Sequence, residues 1–221
     1  MSPRPKYTAL DDSLYDYLVS HRSPDDAVVE GLREETARLG GSAVMQIAPD
    51  QATLLRILVS AIGAKRAVEV GTFTGLSALA IARGLRPDGR LFCFDVSEEW
   101  TAIGRRYWEK AGVADRIELR IGPAAPALRT LPEEPWLDFA FIDADKGGYP
   151  VYWDEIVSRL RAGGLVAVDN VLWEGEIVQA DKTGEDVEAI RAFNERVLAD
   201  ERVESVMLAV ADGLTLARRV G

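Results

Sequence analysis

Carboxylate and amide side chains follow four apolar runs of this 221-residue chain, in AVEV, LFCFD, FIDADK and VAVDN. A carboxylate at the end of a buried strand is costly to desolvate unless it is paired or bound to a ligand. In open α/β proteins ligands bind beyond the carboxyl ends of the strands, where such residues collect. One such residue is often only a helix N-cap, but their recurrence favours a functional site. The residues are Glu69, Asp95, Asp143, Asp145, Asp169 and Asn170.

The segment AVEVGTFTG predicts a strand that turns tightly into a helix. Gly71 and Gly75 allow the backbone to approach a ligand closely, because neither has a Cβ atom. The dinucleotide-binding pattern G-x-G-x-x-G would place its middle glycine where Phe73 stands. That departure and the preceding Glu69 disfavour a phosphate-rich cofactor and favour a cationic one, such as S-adenosylmethionine (SAM) with its sulfonium and amino groups. The alternative is an ordinary strand–turn–helix that binds no ligand.

Asp95 follows Gly71 by 24 residues. A carboxylate about 20 residues after such a glycine turn holds ribose hydroxyls in nucleotide-binding folds. Asp95 could instead cap the helix predicted to begin near Glu98, although Ser97 can do so and leave Asp95 free. We therefore expect Asp95 to bind a ribose.

Asp143, Asp169 and Asn170 would offer three hard oxygen ligands from neighbouring strands. Oxygen-only ligation selects Mg²⁺, Mn²⁺ or Ca²⁺ over zinc. Mg²⁺ takes six ligands, so about three positions remain for water or for a pair of vicinal hydroxyls. The sequence thus predicts a divalent cation, Mg²⁺ first, that lowers the pKa of a substrate hydroxyl.

Lys146 follows Asp143 by three residues. A lysine beside a divalent cation in a partly dry cleft has its charged form disfavoured, so Lys146 could act as a general base. The alternative interpretation is that Lys146 is a solvated lysine in a loop. Trp173 could form a wall for a flat ring, whereas Tyr152 and Trp153 lie in a predicted helix and are expected in the core.

The amino-acid composition limits which classes of binding partner and which cellular location we expect. A formal net charge of −10 makes nucleic acid and anionic membranes unfavourable partners. Cys93 is the only cysteine and lies in an apolar run, so we expect a core thiol and a reducing, cytoplasmic location. The polar first twenty residues predict no signal peptide, and no apolar run approaches the ~20 residues that span a membrane.

Alternation of strands and helices predicts an α/β fold: a doubly wound, Rossmann-like, seven-stranded and mostly parallel sheet with helices on both faces. Two β-rich runs around Asp212 and Gly213 predict a terminal hairpin, so the last strand should run antiparallel. We expect one domain over 1–221, with an N-terminal arm (1–12) and helices up to residue 45 and the core at 46–221. Helices are predicted at 13–20, 24–39 (capped by Ser23), 49–62, 75–84, 98–111, 123–130, 148–161 and 185–200, and strands at 67–70, 91–95, 117–121, 137–142 and 165–169.

The chain resembles the cation-dependent O-methyltransferases of the caffeoyl-CoA and catechol type over nearly its whole length. FIDADK paired with VDNVLW corresponds to the metal motif of that family. The densest similarities are MQIAPDQATLL, GAKRAVEVGTFTGLSALAIA, DGRLFCFDV, AGVADRIELRIGPA, GGLVAVDNVLWEG and IRAFNERV.

This resemblance implies a SAM-dependent methyltransferase that acts on a catechol-like small molecule, with commonly dimeric members. It implies that Asp143 also touches the substrate and that Lys146 is the base. Lys6 matches a substrate-binding lysine, whereas Glu174 replaces an asparagine and is unfavourable for the phosphates of a CoA thioester. The implied metal ligands are Asp143, Asp169 and Asn170, and the implied SAM contacts are Ile47 (backbone), Glu69, Gly71, Thr72, Ser77, Asp95, Ala124 and Asp145.

Two other functions are compatible with parts of the sequence. A nicotinamide-dependent oxidoreductase could share the fold, but it would lack the middle glycine of its fingerprint. A non-catalytic SAM-binding protein could keep the glycine turn between Gly71 and Gly75. The presence of the implied metal ligands and of Lys146 favours an enzyme.

Overall fold

A computed structural model of the protein describes Lys6 and residues 8–221. It confirms the predicted fold class, a seven-stranded and mostly parallel sheet with helices on both faces. The helices are α1 (Asp12–Ser20), α2 (Ala27–Ala37), α3 (Pro49–Ala61), α4 (Leu76–Gly84), α5 (Glu98–Lys110), α6 (Ala124–Leu128), α7 (Tyr149–Val157) and α8 (Glu185–Leu198). The strands are β1 (Arg66–Val70), β2 (Arg90–Asp95), β3 (Ile117–Ile121), β4 (Leu137–Ile142), β5 (Leu160–Val168), β6 (Val203–Leu208) and β7 (Leu214–Arg219).

The strands lie in the order β3-β2-β1-β4-β5-β7-β6. The five strands from β3 to β5 pair in parallel, and β7 pairs antiparallel with both β5 and β6. The hairpin predicted around Asp212 and Gly213 therefore places β7 between β5 and β6. Along the chain, β2 and β3 are added on one side of β1, and β4 is then added on its other side. Such a reversal opens a crevice beyond the carboxyl ends of the strands.

Alternate residues of the central strands face two separate hydrophobic layers, as the period-2 geometry of a strand requires. Ala67, Phe139 and Phe141 pack with residues of α2, α3, α4 and α5. Val68 and Val70 pack with residues of α6, α7 and α8 on the opposite face. The predicted core residue Cys93 is completely buried and unpaired, as expected.

The predicted start of α2 is wrong. The sequence predicts a helix from residue 24 capped by Ser23, but α2 begins at Ala27 and its N-cap is Asp26. The Asp26 carboxylate accepts hydrogen bonds from the amides of Val28 and Val29, both at 3.1 Å. A carboxylate that satisfies two free amide donors is a strong N-cap, and it moves the helix start forward by three residues.

The boundary between α7 and β5 also differs from the prediction. The sequence predicts a helix to residue 161 and a strand from residue 165, whereas α7 ends at Val157 and β5 begins at Leu160. The Arg159 carbonyl accepts two hydrogen bonds of 2.9 Å from backbone amides at the start of β4. Pairing with β4 thus draws this segment into the sheet, a long-range contact that helical periodicity does not reveal.

The first helix begins one residue earlier than predicted. α1 begins at Asp12, and the Asp11 side chain caps it by accepting from the Leu14 amide at 2.8 Å. Residues 1–5 and 7 of the predicted arm lie outside the described residues. Over the described part of the chain, no helix has the length and apolar character needed to cross a membrane.

The turn after β1 depends on a close approach of two backbone segments. Gly71 has a φ of +85°, and a Cβ atom at this position would overlap the carbonyl group of Asp143 at the end of β4. Only glycine satisfies both the left-handed backbone and this contact. Gly71 therefore fixes the distance between the glycine turn and the end of β4.

We predict that Gly71→Ala destabilises the protein by about 3 kcal/mol or more, because overpacking adds to the cost of a left-handed alanine. Gly63→Ala is the matched control, since Gly63 has a φ of +61° and its Cβ would meet nothing within 4 Å. The control should lose only about 1 kcal/mol. Urea unfolding measures both values, and equal losses would contradict a steric role for Gly71.

Candidate functional site

A cleft of about 1180 Å³ opens beyond the carboxyl ends of β1, β2, β4 and β5. Apart from Glu69 and Lys6, the site residues predicted from the sequence line this cleft. They are Ile47, Gly71, Thr72, Ser77, Asp95, Ala124, Asp143, Asp145, Lys146, Asp169 and Asn170. Residues separated by more than 100 positions therefore share one wall because the parallel strands end at the same edge.

The glycine turn is held in place by Asp95. One carboxylate oxygen, Oδ2, accepts from the amides of Thr72 and Phe73 at 2.8 Å each, and Oδ1 accepts from the Ser97 amide at 2.7 Å. Ser97 caps α5 through the amide of Trp100, as the sequence suggested. Asp95 is therefore not a free carboxylate: it orders the turn, and only its remaining lone pairs can reach a ligand.

Glu69 lies behind the cleft wall rather than on it. Its side chain is completely buried, and Oε2 accepts a 2.9 Å hydrogen bond from the Thr72 hydroxyl. Oε1 has no hydrogen-bond partner within the described ranges. Burial raises the pKa of Glu69 to about 7. The carboxylate thus supports the turn from below, and a nearby positive charge would stabilise its ionised form.

The end of the cleft at β4 and β5 gathers three oxygen-bearing side chains around one ammonium group. The Lys146 Nζ atom lies 3.3 Å from Asp143 Oδ1 and 2.7 Å from Asn170 Oδ1. It also donates to the Tyr149 hydroxyl at 2.7 Å. The alternative of a solvated loop lysine is therefore wrong, because Lys146 is buried and bonded within the site.

Asp169 completes this group from the end of β5. It is 3% exposed, and its Oδ1 accepts from the Asn170 amide at 2.7 Å. Burial, together with the negative charge of Asp143, raises the pKa of Asp169 to about 7. Asn170 has a φ of +56°, a left-handed conformation that non-glycine residues rarely adopt. Backbone strain of this kind is typical of functional sites.

The described residues hold no cluster of three or more His, Cys, Asp or Glu side chains suited to a metal ion. The group formed by Asp143, Asp169 and Asn170 contains two carboxylates and one amide. Its donors are all hard oxygens, which fit Mg²⁺, Mn²⁺ or Ca²⁺ and not zinc.

Aromatic residues form other parts of the wall. Trp173, expected as a wall for a flat ring, lines the cleft with its ring 5.7 Å from Lys146 Nζ. Trp153 is in the core as predicted. Tyr152 is also buried, but its hydroxyl donates to Asp145 Oδ1 at 2.6 Å, so it touches a site residue.

Several residues that line the cleft were not predicted from the sequence. Gln51 lies inside the motif MQIAPDQATLL, yet its place on the first turn of α3 gives no sign that its side chain lines the cleft near Asp169. Phe73 and Trp100 meet edge to face at the other end of the cleft, with ring centres 5.1 Å apart. Lys6, expected near the substrate, is exposed and does not line the cleft.

The strand order, the antiparallel β7 and the cleft at the reversal of the sheet define a Rossmann-like ligand-binding protein. A profile of the O-methyltransferase family matches residues 19–220, and the chain belongs to this family. Caffeoyl-CoA O-methyltransferase 5 of Nicotiana tabacum is 38% identical over 223 residues, which cover 95% of this chain and 92% of the relative. The predicted resemblance is confirmed at the level of the family.

Solved structures agree with this assignment. The O-methyltransferase TomG from Streptomyces achromogenes, involved in tomaymycin synthesis and solved in complex with SAM, has a TM-score of 0.84 at 29% identity. The alignment covers 95% of this chain and 96% of TomG. An O-methyltransferase from Bacillus cereus in complex with SAH has a TM-score of 0.84 at 32% identity, with 94% and 97% of the two chains covered.

We predict that the ligand-free protein loses stability as the pH rises from 5 to 8. The folded-state pKa of Glu69, about 7, exceeds its ordinary value of 4.5, so the stabilising contribution of the protonated carboxyl is lost as the pH rises through 7. Glu69→Gln should remove about 1–3 kcal/mol of this loss. Burial also raises the pKa values of Asp169 and Asp143, so these two carboxyls contribute the remainder.

Urea unfolding in EDTA at pH 5 and pH 8 measures this effect. Glu118→Gln is the matched control, because Glu118 is exposed on β3 in an ion pair with Arg120. A Glu69→Gln variant with the same pH dependence as the wild type and the control would contradict a raised pKa for Glu69.

Proposed function

We propose that this member of the O-methyltransferase family transfers the methyl group of SAM to one hydroxyl of a vicinal diphenol, with the assistance of a divalent cation. The main support is that Asp143 and Asn170 meet at the Lys146 ammonium, beside the buried carboxylate of Asp169, at one end of the cleft. Mg²⁺ is the first choice of cation, and Mn²⁺ and Ca²⁺ are the alternatives.

The β1 and β2 end of the cleft would bind SAM. The support is the glycine turn ordered by Asp95, the aromatic pair Phe73 and Trp100, and the solved relatives in complex with SAM and SAH. Glu69 would act from behind, since its buried carboxylate favours a nearby cationic ligand. The proposed contacts on the wall are Ile47, Gly71, Thr72, Ser77, Asp95, Ala124 and Asp145.

The β4 and β5 end would hold the cation through Asp143, Asp169 and Asn170. The fit rests on their oxygen chemistry and on the raised pKa of Asp169, which marks a site where positive charge is favourable. A bound divalent cation would bring two neighbouring hydroxyls together and lower the pKa of one of them.

Lys146 would remove the proton from the hydroxyl that becomes methylated. Its Nζ atom lies between Asp143 and Asn170, within the group that would hold the acceptor. A general base must lie within hydrogen-bond reach of the proton that it removes, and the position of Lys146 meets that requirement. The phenolate oxygen then bonds to the methyl carbon while the carbon–sulfur bond breaks, and S-adenosylhomocysteine leaves. Positioning of the two reactants along one cleft would supply much of the rate.

The charge of the cleft favours a small, uncharged acceptor over a CoA thioester. Glu174, Glu176 and Asp212 lie on the rim near Trp173, and Lys146 is the only basic side chain among the described lining residues. The phosphates of CoA would meet carboxylates there, which is unfavourable for binding. A small diphenol would avoid that repulsion.

Asp169→Asn should lower turnover about 100-fold or more, because it removes one charge from the proposed cation site. The dissociation constant for SAM should change less than about 3-fold, since Asp169 lies at the other end of the cleft. Asp181→Asn, at an exposed position outside the cleft, is the matched control. Steady-state kinetics and calorimetry give the two values. Wild-type turnover in Asp169→Asn would contradict the cation site.

We also propose that the protein forms a homodimer through β6 and α8. β6 is an edge strand, and Leu198, Val206 and Met207 expose 78%, 51% and 43% of their surface beside a groove of about 740 Å³ that is lined by both apolar and charged side chains. An exposed apolar patch on an unpaired edge is typical of an interface. A second copy would cover the same patch on both subunits in a two-fold arrangement.

Light scattering after size exclusion should give twice the 24.2 kDa mass of the chain. Val206→Asp should convert the dimer to a monomer, because it places a charge within the apolar interface. Ile57→Asp should remain dimeric, since Ile57 is 58% exposed on α3 and outside the groove. A monomeric wild type, or a dimeric Val206→Asp, would contradict the proposed interface.

A further inference from the structure

Gln51, on the first turn of α3, is a buried polar residue with unsatisfied hydrogen-bonding groups. Its side chain is completely buried, and it lines the cleft. Neither Nε2 nor Oε1 has a hydrogen-bond partner among the residues that the structure describes. The amide therefore carries two donors and one acceptor group that the protein itself leaves free.

An amide without partners is costly to bury, and folded proteins satisfy nearly all such groups. Gln46, five residues earlier and on the same cleft, shows the usual solution: its Nε2 donates to the Thr36 and Thr74 hydroxyls at 2.8 and 3.1 Å. Gln46 and Gln51 have the same side chain, so the difference lies in the residues that surround each amide. The free amide of Gln51 thus indicates that a ligand supplies the missing partners.

The position of Gln51 identifies the end of the cleft concerned. Its side chain lies close enough to Asp169 for a hydrogen bond from the amide to lower the pKa of that carboxyl, although neither amide atom meets strict hydrogen-bond geometry in the ligand-free protein. Oδ1 of Asp169 is occupied by the Asn170 amide. Gln51 therefore faces the proposed acceptor and cation end rather than the glycine turn.

We propose that Gln51 is a positioning residue whose amide N–H groups orient the Asp169 carboxylate and whose amide oxygen accepts a hydrogen bond from an O–H group bound against Asp169. This inference rests on the proposed function. The O–H group has two possible sources, a water bound to the cation or the hydroxyl of the diphenol that keeps its proton. In the second case Gln51 helps to select which hydroxyl is methylated, because the reacting oxygen has lost its proton and cannot donate.

Gln51→Met tests this role, since methionine has the length of glutamine and no hydrogen-bonding amide. In EDTA the variant should melt about 2–4 °C higher than the wild type, because an unsatisfied buried amide is removed. At the same time it should bind a ligand at the β4 and β5 end at least 5-fold more weakly. Higher stability with weaker binding is a pattern that a purely structural glutamine would not give.

Calorimetry with Mn²⁺ alone, and then with catechol on the protein saturated with Mn²⁺ and S-adenosylhomocysteine, separates the two sources. Weaker Mn²⁺ binding with unchanged catechol binding supports the bound water, and weaker catechol binding to the protein saturated with Mn²⁺ supports the retained hydroxyl. Both measurements need no turnover, so an inactive wild type would count against the proposed function while Mn²⁺ binding still tests Gln51.

Gln46→Met is the matched control. It should lower the melting temperature, because the Thr36 and Thr74 hydroxyls lose a buried donor. If Gln51→Met also melts lower than the wild type, or if it leaves Mn²⁺ and catechol binding unchanged, the positioning role of Gln51 is overturned.

Discussion

The contact of Gly71 with the backbone of Asp143 is the constraint on which the site depends. β1 ends at the glycine turn and β4 ends at the oxygen-bearing group, and these neighbouring strands can end in contact only if one residue lacks a side chain. The contact places the proposed SAM end and the proposed acceptor end of the cleft side by side. A methyl group transferred directly between two bound molecules requires that proximity.

Around this contact the protein keeps polar groups that its own residues do not satisfy. Glu69 has a buried oxygen without a partner, Asp169 is crowded against Asp143, and Gln51 has a free amide. Each lowers the stability of the ligand-free chain, and each would be relieved by a cationic or O–H-bearing ligand. The same groups thus explain both a cost in folding and a preference in binding, as is common at functional sites.

The sequence was sufficient to predict the sheet and most of the cleft wall. Apolar runs that end in acidic residues gave the strands, and the carboxyl ends of parallel strands share one edge, so Asp143, Asp169 and Asn170 could be placed together. Features set by long-range contacts could not be predicted. The early start of β5 depends on pairing with β4, and the burial of Glu69 behind the wall depends on packing under the turn.

Local alternatives were equally hard to resolve from the sequence. Asp26 and Ser23 are both good N-caps, and only the backbone path shows that Asp26 caps α2. Asp95 was expected to be free for a ribose, yet three amides already bond to it. Gln51 belongs to a helix turn whose pattern shows nothing unusual, and its importance is visible only from the absence of partners around its amide.

Formation of S-adenosylhomocysteine from SAM is the decisive assay for a cation-assisted methyl transfer. The assay would use a vicinal diphenol and the matching monophenol, each with excess Mg²⁺ and with EDTA. We expect turnover of the diphenol with Mg²⁺ and none in EDTA, with the monophenol a poor acceptor. Activity that is indifferent to EDTA, or equal for the two phenols, would contradict a cation held by Asp143, Asp169 and Asn170.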